Sequence, residues 1–284
     1  MRIAVLILAH KNPEQLRLLV GRLRQDFDVY IHLDKKSNLS EKLFEHYPNV
    51  FCIKKYAVNW GSYNGILAPL ELFKTAVKKD YDYYIHISGQ DLPIKTNQQI
   101  IDFLNINRLV SFVDWHLLPA KIWGEDGGLG RISYYWEHNS GSGLIDKIQK
   151  ACIRIIREIQ FKTGCKRQLP DIRFYGGSNW VNLNREATAY LIEYIQNNPK
   201  YLNLFKYSCN ADEIWMQTIL KNNPELSLQT DYLRCVDWGV SKTSPKTFTI
   251  NDLDMILQHP GLFARKFDEN IDNEVINQVL QSTK

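Results

Sequence analysis

The fold is decided by the stretch Tyr83-Tyr84-Ile85-His86-Ile87-Ser88-Gly89-Gln90-Asp91-Leu92-Pro93-Ile94-Lys95-Thr96. Its first six residues are mostly aromatic or β-branched, which is typical of a buried strand. Gly89 and Pro93 then break the chain, and a helical pattern resumes near Asn97. Asp91 is therefore expected at the carboxyl end of a strand, where open α/β sheets bind their ligands. The alternative is that Asp91 only caps the turn or the next helix.

The residues before this stretch alternate between strand and helix patterns. Residues 3–9 form a continuous apolar run, as in a strand buried on both faces of a parallel sheet. Asn12 and Pro13 are a favourable start for a helix, and residues 29–33 and 49–54 are further predicted strands. This β-α-β alternation predicts an α/β fold with a Rossmann-like, mostly parallel central sheet flanked by helices. No GxGxxG motif follows the first strand, which counts against a dinucleotide site.

Two polar residues follow the first two predicted strands. His10 and Asp34 both fall at carboxyl ends, where a sugar nucleotide would meet them. We expect Asp34 to bind a ribose hydroxyl or uracil and His10 to lie near the base. The alternative is a helix-capping histidine and a surface aspartate.

Length and composition fit one globular enzyme-sized domain. The chain has 284 residues, of which 44% are hydrophobic and 23% charged. A net charge of +4 fits an anionic small molecule or a loose contact with a membrane surface, and it is too weak to favour nucleic acid. The high aromatic content suits sugar rings and uracil, although aromatic residues also fill cores.

The cysteines and the amino terminus bear on location. Five scattered cysteines without a CxxC pair argue against zinc and indicate reduced thiols in the cytoplasm. The first apolar run is too short for a transmembrane helix and lacks a cleavage-site pattern, so we expect a strand and no targeting segment.

The regular pattern dissolves from Asp114 to Gly143. This stretch is rich in aromatic residues, glycines and acids, including Trp115, Trp123, Glu125, Arg131, Tyr134, Tyr135 and Trp136. A long aromatic loop in a compact domain usually binds a ligand or forms a lid, and this one suits a carbohydrate acceptor. A disordered excursion is the alternative, but so many aromatic residues argue against it.

Residues 144–163 form a predicted amphipathic helix with a basic side. Lys147, Lys150, Arg154 and Arg157 contribute to a basic patch that continues beyond the helix. Such runs are usually solvated helix faces, and contact with a membrane surface is the other interpretation.

Two later motifs place polar chemistry next to turns. Gly176 and Gly177 precede Ser178 in a turn where bare backbone can approach a ligand closely. Asp212 and Glu213 lie at a predicted helix start, where they either favour the helix dipole or supply a general base.

Six stretches in order resemble one family, the core-2/I-branching β-1,6-N-acetylglucosaminyltransferases and peptide O-xylosyltransferases of glycosyltransferase family 14. They cover nearly the whole chain and are Ile31-His32-Leu33-Asp34-Lys35-Lys36, Ser88-Gly89-Gln90-Asp91-Leu92-Pro93-Ile94-Lys95-Thr96, Tyr175-Gly176-Gly177-Ser178, Ala211-Asp212-Glu213-Ile214-Trp215, Arg234-Cys235-Val236-Asp237-Trp238 and Leu262-Phe263-Ala264-Arg265-Lys266-Phe267-Asp268. The chain lacks the membrane anchor and stem of the animal Golgi members, so a bacterial relative is expected.

The resemblance implies a GT-A fold formed by residues 1–284 as one domain. Residues 1–113 would be the half that binds the nucleotide sugar, and residues 114–284 the acceptor-binding and catalytic half. It also implies an inverting transfer from a UDP-sugar, N-acetylglucosamine or xylose, to a glycan or glycolipid acceptor without a metal or other cofactor. The expected setting is bacterial surface polysaccharide synthesis, in the cytoplasm or peripherally at the inner membrane face.

The site residues are carried over position by position. The resemblance makes Glu213 the base, although Trp215 lies one position closer than in the family's Asp-Glu-x-x-Trp pattern. On the donor side it implies Asp34 and Lys266. As the second phosphate-binding residue we expect Lys246, with Arg265 as the alternative, and His10 and Asp91 join the donor set from their places at strand ends. On the acceptor side it implies Trp238. To this we add Glu125 and Arg131 from the aromatic loop, and Gly177 and Ser178 from the glycine turn.

The residues agree with a site that uses basic side chains in place of a metal. Three DxD strings occur, at residues 26–28, 80–82 and 252–254, but two precede strands and the third begins a helix. After Asp34 the chain offers Lys35 and Lys36, which repel a cation. We therefore expect Lys266 and Lys246 to neutralise the leaving diphosphate.

Two other kinds of function remain open. A protein O-xylosyltransferase-like enzyme would share the fold and donor chemistry. A non-catalytic carbohydrate-binding protein would need neither Glu213 nor Lys266, so donor hydrolysis or transfer separates it from an enzyme.

Overall fold

A central seven-stranded sheet organises the computed structural model, which describes residues 1–137, 143–239 and 244–284. Within those ranges the strands are β1 (Ile3–Ala9), β2 (Asp28–Leu33), β3 (Val50–Ile53), β4 (Tyr83–Ser88), β5 (Asp91–Pro93), β6 (Ser111–Phe112), β7 (His116–Leu117), β8 (Tyr175–Gly176), β9 (Asn182–Asn184), β10 (Leu228–Gln229), β11 (Arg234–Val236) and β12 (Phe263–Arg265). The order across the sheet is β10-β6-β9-β4-β1-β2-β3.

Helices cover both faces of this sheet. They are α1 (Pro13–Leu23), α2 (Asn64–Ala76), α3 (Asn97–Ile106), α4 (Gly130–Ser133), α5 (Leu144–Thr163), α6 (Arg185–Asn197), α7 (Trp215–Lys221), α8 (Leu253–Gln258) and α9 (Asn273–Ser282). The predicted helix over residues 144–163 is confirmed at both ends.

Parallel pairing dominates the sheet, as the apolar runs predict. β1 pairs in parallel with β2 and β4, and β2 pairs in parallel with β3. Two core clusters lie on opposite faces, and alternate residues of β1 supply them: Val5 and Ile7 to one, Ala4 and Leu6 to the other. The α/β class and the mostly parallel sheet are therefore confirmed.

One strand runs against the rest at the centre of the sheet. β9 inserts antiparallel between β4 and β6, although it lies about a hundred residues after β4 in the chain. The sheet thus draws strands from both sides of residue 113, while the division into two functional halves at that point stays a prediction.

Two polar side chains near helix starts make other contacts in place of a capping bond, and one of them, Asn12, is the expected start of α1. Asn12 has a left-handed backbone (φ 60°), and its amide donates to Asp268 and Gln15 and does not cap α1. Ser62 likewise donates its hydroxyl to the carbonyl of Asn59 and does not cap α2. Both side chains fix loops at the carboxyl edge of the sheet, because tertiary partners compete with the local capping bond.

Asp91 lies in a small second sheet, ordered β11-β12-β5, that packs beside the carboxyl end of β4. Its side chain is fully buried, and its Oδ1 lies 2.9 Å from Nη1 of Arg265. The backbone N–H and hydroxyl of Ser88 also donate to it. Asp91 is thus neither a simple turn residue nor a helix cap, since its carboxylate ties β4 to β12.

Replacement of Asp91 by asparagine should reduce the free energy of unfolding by about 2–4 kcal/mol, because it leaves a guanidinium without its buried counter-ion. Urea denaturation followed by circular dichroism measures this loss. Asp80→Asn is the matched control, because the Asp80 carboxylate meets Arg185 at 2.7 Å on the exposed surface. That change should cost less than about 1 kcal/mol. Equal losses in the two variants would contradict the buried-pair account.

Candidate active site

Glu213 lies in a short turn that precedes α7. The helix predicted from Asn210 onward begins only at Trp215, and residues 211–213 form a separate 3₁₀ turn. Asn210 starts this turn with a left-handed backbone (φ 49°), and its N–H donates to the carbonyl of Gly61. A Cβ on Gly61 would come within 2.4 Å of the Asn210 side chain, so this contact needs glycine. The turn places Asp212 and Glu213 on adjacent, partly buried positions.

Arg131 holds the Glu213 carboxylate. Its Nη1 lies 2.5 Å from Oε2 of Glu213, across 82 positions of sequence. The guanidinium also stacks over the ring of Trp123, with its Cζ 4.3 Å from the ring centroid. The Glu213 side chain is 39% exposed, so a ligand can reach the carboxylate that Arg131 orients. The structure thus brings together a residue predicted as the base and one predicted for the acceptor.

The glycine turn packs against this pair through its backbone. The N–H of Gly177 donates to the carbonyl of Glu213 at 2.9 Å. An added Cβ would lie 2.0 Å from the Asp114 carbonyl at Gly177, and 2.4 Å from the Trp123 ring at Gly176. Both positions therefore need glycine for close packing within the protein, and Gly177 supports Glu213 from behind.

Ser178 continues the same turn. Its N–H donates to Oδ2 of Asp114 at 2.9 Å, and its carbonyl accepts from the Gln217 amide at 2.6 Å. In the described part of the chain, Oδ1 of Asn179 and Oε1 of Gln217 are buried without a hydrogen-bond partner. Such acceptors can bond the hydroxyl groups of a ligand. Sequence reasoning missed Asp114 and Gln217, because neither stands in a motif.

Asp212 differs electrostatically from its neighbour. Burial raises the pKa of Asp212 to about 7, and the adjacent Glu213 carboxylate adds to this increase. Asp212 packs against Gly65 in the first turn of α2. Asp212 is therefore a second carboxyl group at this site, and one that can hold a proton near neutral pH.

The donor-side residues meet at the carboxyl ends of β1 and β2. Asp34 is buried, and its Oδ1 accepts from the backbone N–H groups of Lys36 and Val58. Among the described residues no hydrogen bond reaches its Oδ2, which leaves that oxygen for a ligand hydroxyl. His10 lies exposed beside it, and its pKa is lowered chiefly by partial desolvation and then by Lys11. The structure brings these two predicted donor residues together.

Lys266 is a desolvated cation with Lys11 nearby. Its pKa is lowered by burial first, then by the positive charges of Arg265 and Lys11. Its amine donates to the Ser244 hydroxyl at 2.6 Å, and that of Lys11 meets Asp268 at 2.6 Å. Crowded cations of this kind favour an anionic ligand. Sequence reasoning missed Lys11, although it follows β1 directly, as His10 does.

The side chains of Lys246 and Arg265 both pair with carboxylates of the protein. The Lys246 amine is exposed and pairs with Asp252 at 2.6 Å, although the backbones of Lys246 and Lys266 are adjacent. The Arg265 guanidinium pairs with Asp91 and stacks over Trp180 at 4.3 Å. Both positive charges are thus engaged by protein carboxylates, as the Lys11 charge is by Asp268.

The remaining predicted acceptor residues lie at the surface. Glu125 is exposed in the turn after Trp123, and no hydrogen bond or ion pair within the described ranges joins it to Glu213. Trp238 is 49% exposed and precedes residues 240–243, which lie outside the described ranges. Neither is brought to the base by a contact in the structure.

The next two features are groups of possible metal ligands and helices long enough to span a membrane. Across residues 1–137, 143–239 and 244–284, no three histidine, cysteine or acidic side chains are grouped so that they could hold a metal ion. No described helix has the length and apolar character needed to cross a bilayer.

The chain belongs to the core-2/I-branching enzyme family. The family's sequence model matches residues 3–125 and 135–257, which include most of the residues described above. The α/β fold with its mostly parallel central sheet is GT-A-like, in agreement with this family.

Its similar relatives include animal xylosyltransferases. The chain is 26% identical to a xylosyltransferase of Ciona intestinalis, 27% to xylosyltransferase 2 of Rattus norvegicus and 25% to xylosyltransferase 1 of Homo sapiens. The alignments cover 97–98% of this chain and 30–34% of those proteins. The chain thus spans about a third of the length of these curated relatives.

A solved structure of 4-diphosphocytidyl-2C-methyl-D-erythritol synthase also aligns with the chain. The TM-score is 0.34 at 9% identity, over 75% of this chain and 92% of that one. A score this low carries no argument about fold or function.

Asp212→Asn should stabilise the protein at pH 8 by roughly 1–3 kcal/mol and leave stability unchanged at pH 4. The folded protein holds the Asp212 proton to about pH 7, whereas the unfolded chain releases it near the ordinary aspartate pKa of 3.8. Stability therefore falls as the pH rises between these values, and asparagine removes that loss. Denaturation curves at both pH values measure the effect.

The control for this prediction is Asp171→Asn, which changes an exposed aspartate away from the turn. It should show no comparable gain at pH 8. If Asp212→Asn gives the same change at pH 4 and pH 8, the proton is not held in the folded state.

Proposed function

We propose that the chain transfers a sugar from a UDP-sugar to a hydroxyl group of an acceptor, with inversion and without a metal ion. The observation that carries the proposal is the ion pair by which Arg131 orients the Glu213 carboxylate, while the Gly177 N–H holds the backbone carbonyl of Glu213. A sugar hydroxyl is a poor nucleophile, so a fixed carboxylate that takes its proton is what such a reaction needs.

The proposed step uses one carboxylate oxygen. Arg131 engages Oε2 of Glu213, and Oε1 accepts the proton of the acceptor hydroxyl. The acceptor oxygen bonds to the anomeric carbon as the bond from that carbon to the diphosphate oxygen breaks. UDP leaves with the electron pair, and attack from the opposite side inverts the anomeric centre. The buried acceptors on Asn179 and Gln217 suit sugar hydroxyl groups.

The leaving diphosphate gains negative charge, which nearby cations would stabilise. Lys266 supplies the first of these cations, and Lys11 lies close enough to lower its pKa. We assign this role to Lys266 and Lys11 in place of Lys266 and Lys246. The amines of Lys11 and Lys246 both pair with an aspartate at 2.6 Å, but of these two lysines only Lys11 lies close enough to lower the pKa of Lys266. On the uridine side we retain Asp34 and His10.

The identity of the sugar is xylose or N-acetylglucosamine. The relatives named xylosyltransferase favour xylose, and the family named for core-2/I-branching favours N-acetylglucosamine. For the acceptor we propose a bacterial surface glycan or glycolipid, with a protein serine as the second candidate because of those relatives. The five free thiols support a reducing compartment such as the cytoplasm.

The donor site is tested by calorimetric titration with UDP, UDP-xylose, UDP-N-acetylglucosamine and UDP-glucose, each with EDTA and with manganese. We expect binding that EDTA leaves unchanged. Lys266→Ala should weaken UDP binding by about tenfold, the loss of one charge-assisted contact. Lys246→Ala is the matched control and should bind as the wild type does.

Other outcomes of this titration have definite meanings. Binding only with manganese would overturn the metal-free mechanism. Equal losses in the two lysine variants would return Lys246 to the diphosphate site. No binding of any UDP compound would overturn the donor class.

Glu213→Gln should reduce turnover by about a hundredfold or more and leave donor affinity nearly unchanged, because only proton removal is lost. Release of UDP in the presence of an acceptor glycan measures turnover, and calorimetry measures affinity. Glu193→Gln, on the exposed side of α6, is the control and should turn over normally. Unchanged turnover in Glu213→Gln would transfer the role of base to another group, with Asp212 the nearest carboxyl.

A further inference from the structure

The helix α5 turns its apolar side away from the protein. We define its outer face as Leu144, Ile148, Ile155, Ile156 and Ile159, which are between 43% and 75% exposed. Leu144, Ile148, Ile155 and Ile159 follow one another at spacings of four and seven, so they share one side of the helix. Surface helices normally bury such a stripe against their own core.

The opposite, polar side of α5 is the one that packs on the domain. Oε1 of the buried Gln160 accepts from the backbone N–H of Tyr135 at 2.9 Å. Arg157 pairs with Glu137 at 2.5 Å and lies over the ring of Trp136. These contacts fix the helix in its orientation, so the exposed apolar face is a property of the folded domain.

Basic residues border this outer face along one edge. Lys147 and Arg154 are seven residues apart, which puts them on one edge of the outer face, and Lys162 lies seven residues after Ile155, at the end of that face; all three are exposed. Lys166 continues the positive charge just beyond the carboxyl end. Glu158 is the acidic residue in this border, and the row remains net positive.

We propose that α5 docks the protein on an anionic membrane surface, with its outer face in the boundary between headgroups and acyl chains and its basic edge against lipid phosphates. An apolar stripe beside a row of lysine and arginine is the pattern of helices that lie in a membrane interface. The charge complements an anionic bilayer, which attracts each basic residue near its surface.

A second copy of the chain is the less favoured occupant of this face. Each copy would bring the same row of basic residues and the same overall charge of +4, so like charges would meet at the contact. A bilayer covers the outer face with hydrocarbon and meets the basic edge with negative charge at the same time. The docking is independent of which sugar the protein transfers.

Vesicle flotation tests the proposal with the whole chain. We expect the protein to float with vesicles of phosphatidylcholine and phosphatidylglycerol, to remain unbound with phosphatidylcholine alone, and to dissociate at high salt. The Ile148→Ser/Ile155→Ser variant should lose binding by about tenfold or more, because two exposed apolar side chains no longer enter the interface. Both positions are exposed, so the domain should fold normally.

Two matched controls separate this face from general surface effects. Ile106→Ser/Leu109→Ser removes exposed apolar side chains near the end of α3 and should bind as the wild type does. Lys147→Gln/Lys162→Gln should weaken binding to anionic vesicles by about fivefold for each lysine. Lys78→Gln/Lys200→Gln removes the same charge elsewhere on the exposed surface and should have less effect.

Three outcomes would overturn the proposal. The wild-type protein could fail to bind anionic vesicles, or the control variants could lose as much binding as the α5 variants. Light scattering could also show a dimer that Ile148→Ser/Ile155→Ser dissociates, which would assign the outer face to a second copy of the chain.

Discussion

One buried carboxylate, Asp91, fixes the edge of the sheet on which the candidate site is built. It meets Arg265 where β4 ends and β12 passes, so it joins the central sheet to the small second sheet. Burial also lowers the pKa of the neighbouring Arg234 to about 10, and Asp91 opposes this decrease. Without that negative charge two guanidinium groups would face each other in a region of low dielectric. The position of Lys266, next to Arg265 in sequence, depends on the same pair.

The catalytic side of the site depends on close packing of backbone. Gly176 and Gly177 allow the Trp123 ring and the Asp114 carbonyl to approach to distances that no Cβ could share. Trp123 in turn supports the Arg131 guanidinium that orients Glu213. The glycines therefore act on the carboxylate through two layers of contacts. Their direct role is structural, and they affect the chemistry of the site only because they help to position Arg131 and Glu213.

Electrostatics divides the site into an anionic and a cationic part. Asp212 and Glu213 lie where we propose that the acceptor binds, and Lys11 and Lys266 lie beyond β1, where we propose that the donor binds. This separation suits a reaction in which a proton is taken at one end and negative charge develops at the other. In helix α5, the side that carries Arg157 packs on the domain, and the apolar side faces outward.

The sequence by itself determined the sheet class, most strands and helices, and the family. Continuous apolar runs such as residues 3–9 and 83–88 specify buried parallel strands, since only strands covered on both faces lack polar alternation. The tertiary structure alone decided which charges remain free for a ligand. Asp91 and Arg265 look available in the sequence, yet they pair with each other across 174 positions, and Lys246 pairs with Asp252 six positions away. Arg131 and Glu213 meet across 82 positions of sequence. The apolar side of α5 is exposed, although its sequence pattern is that of an ordinary amphipathic helix. Both features depend on tertiary packing, which the local spacing of residues does not encode.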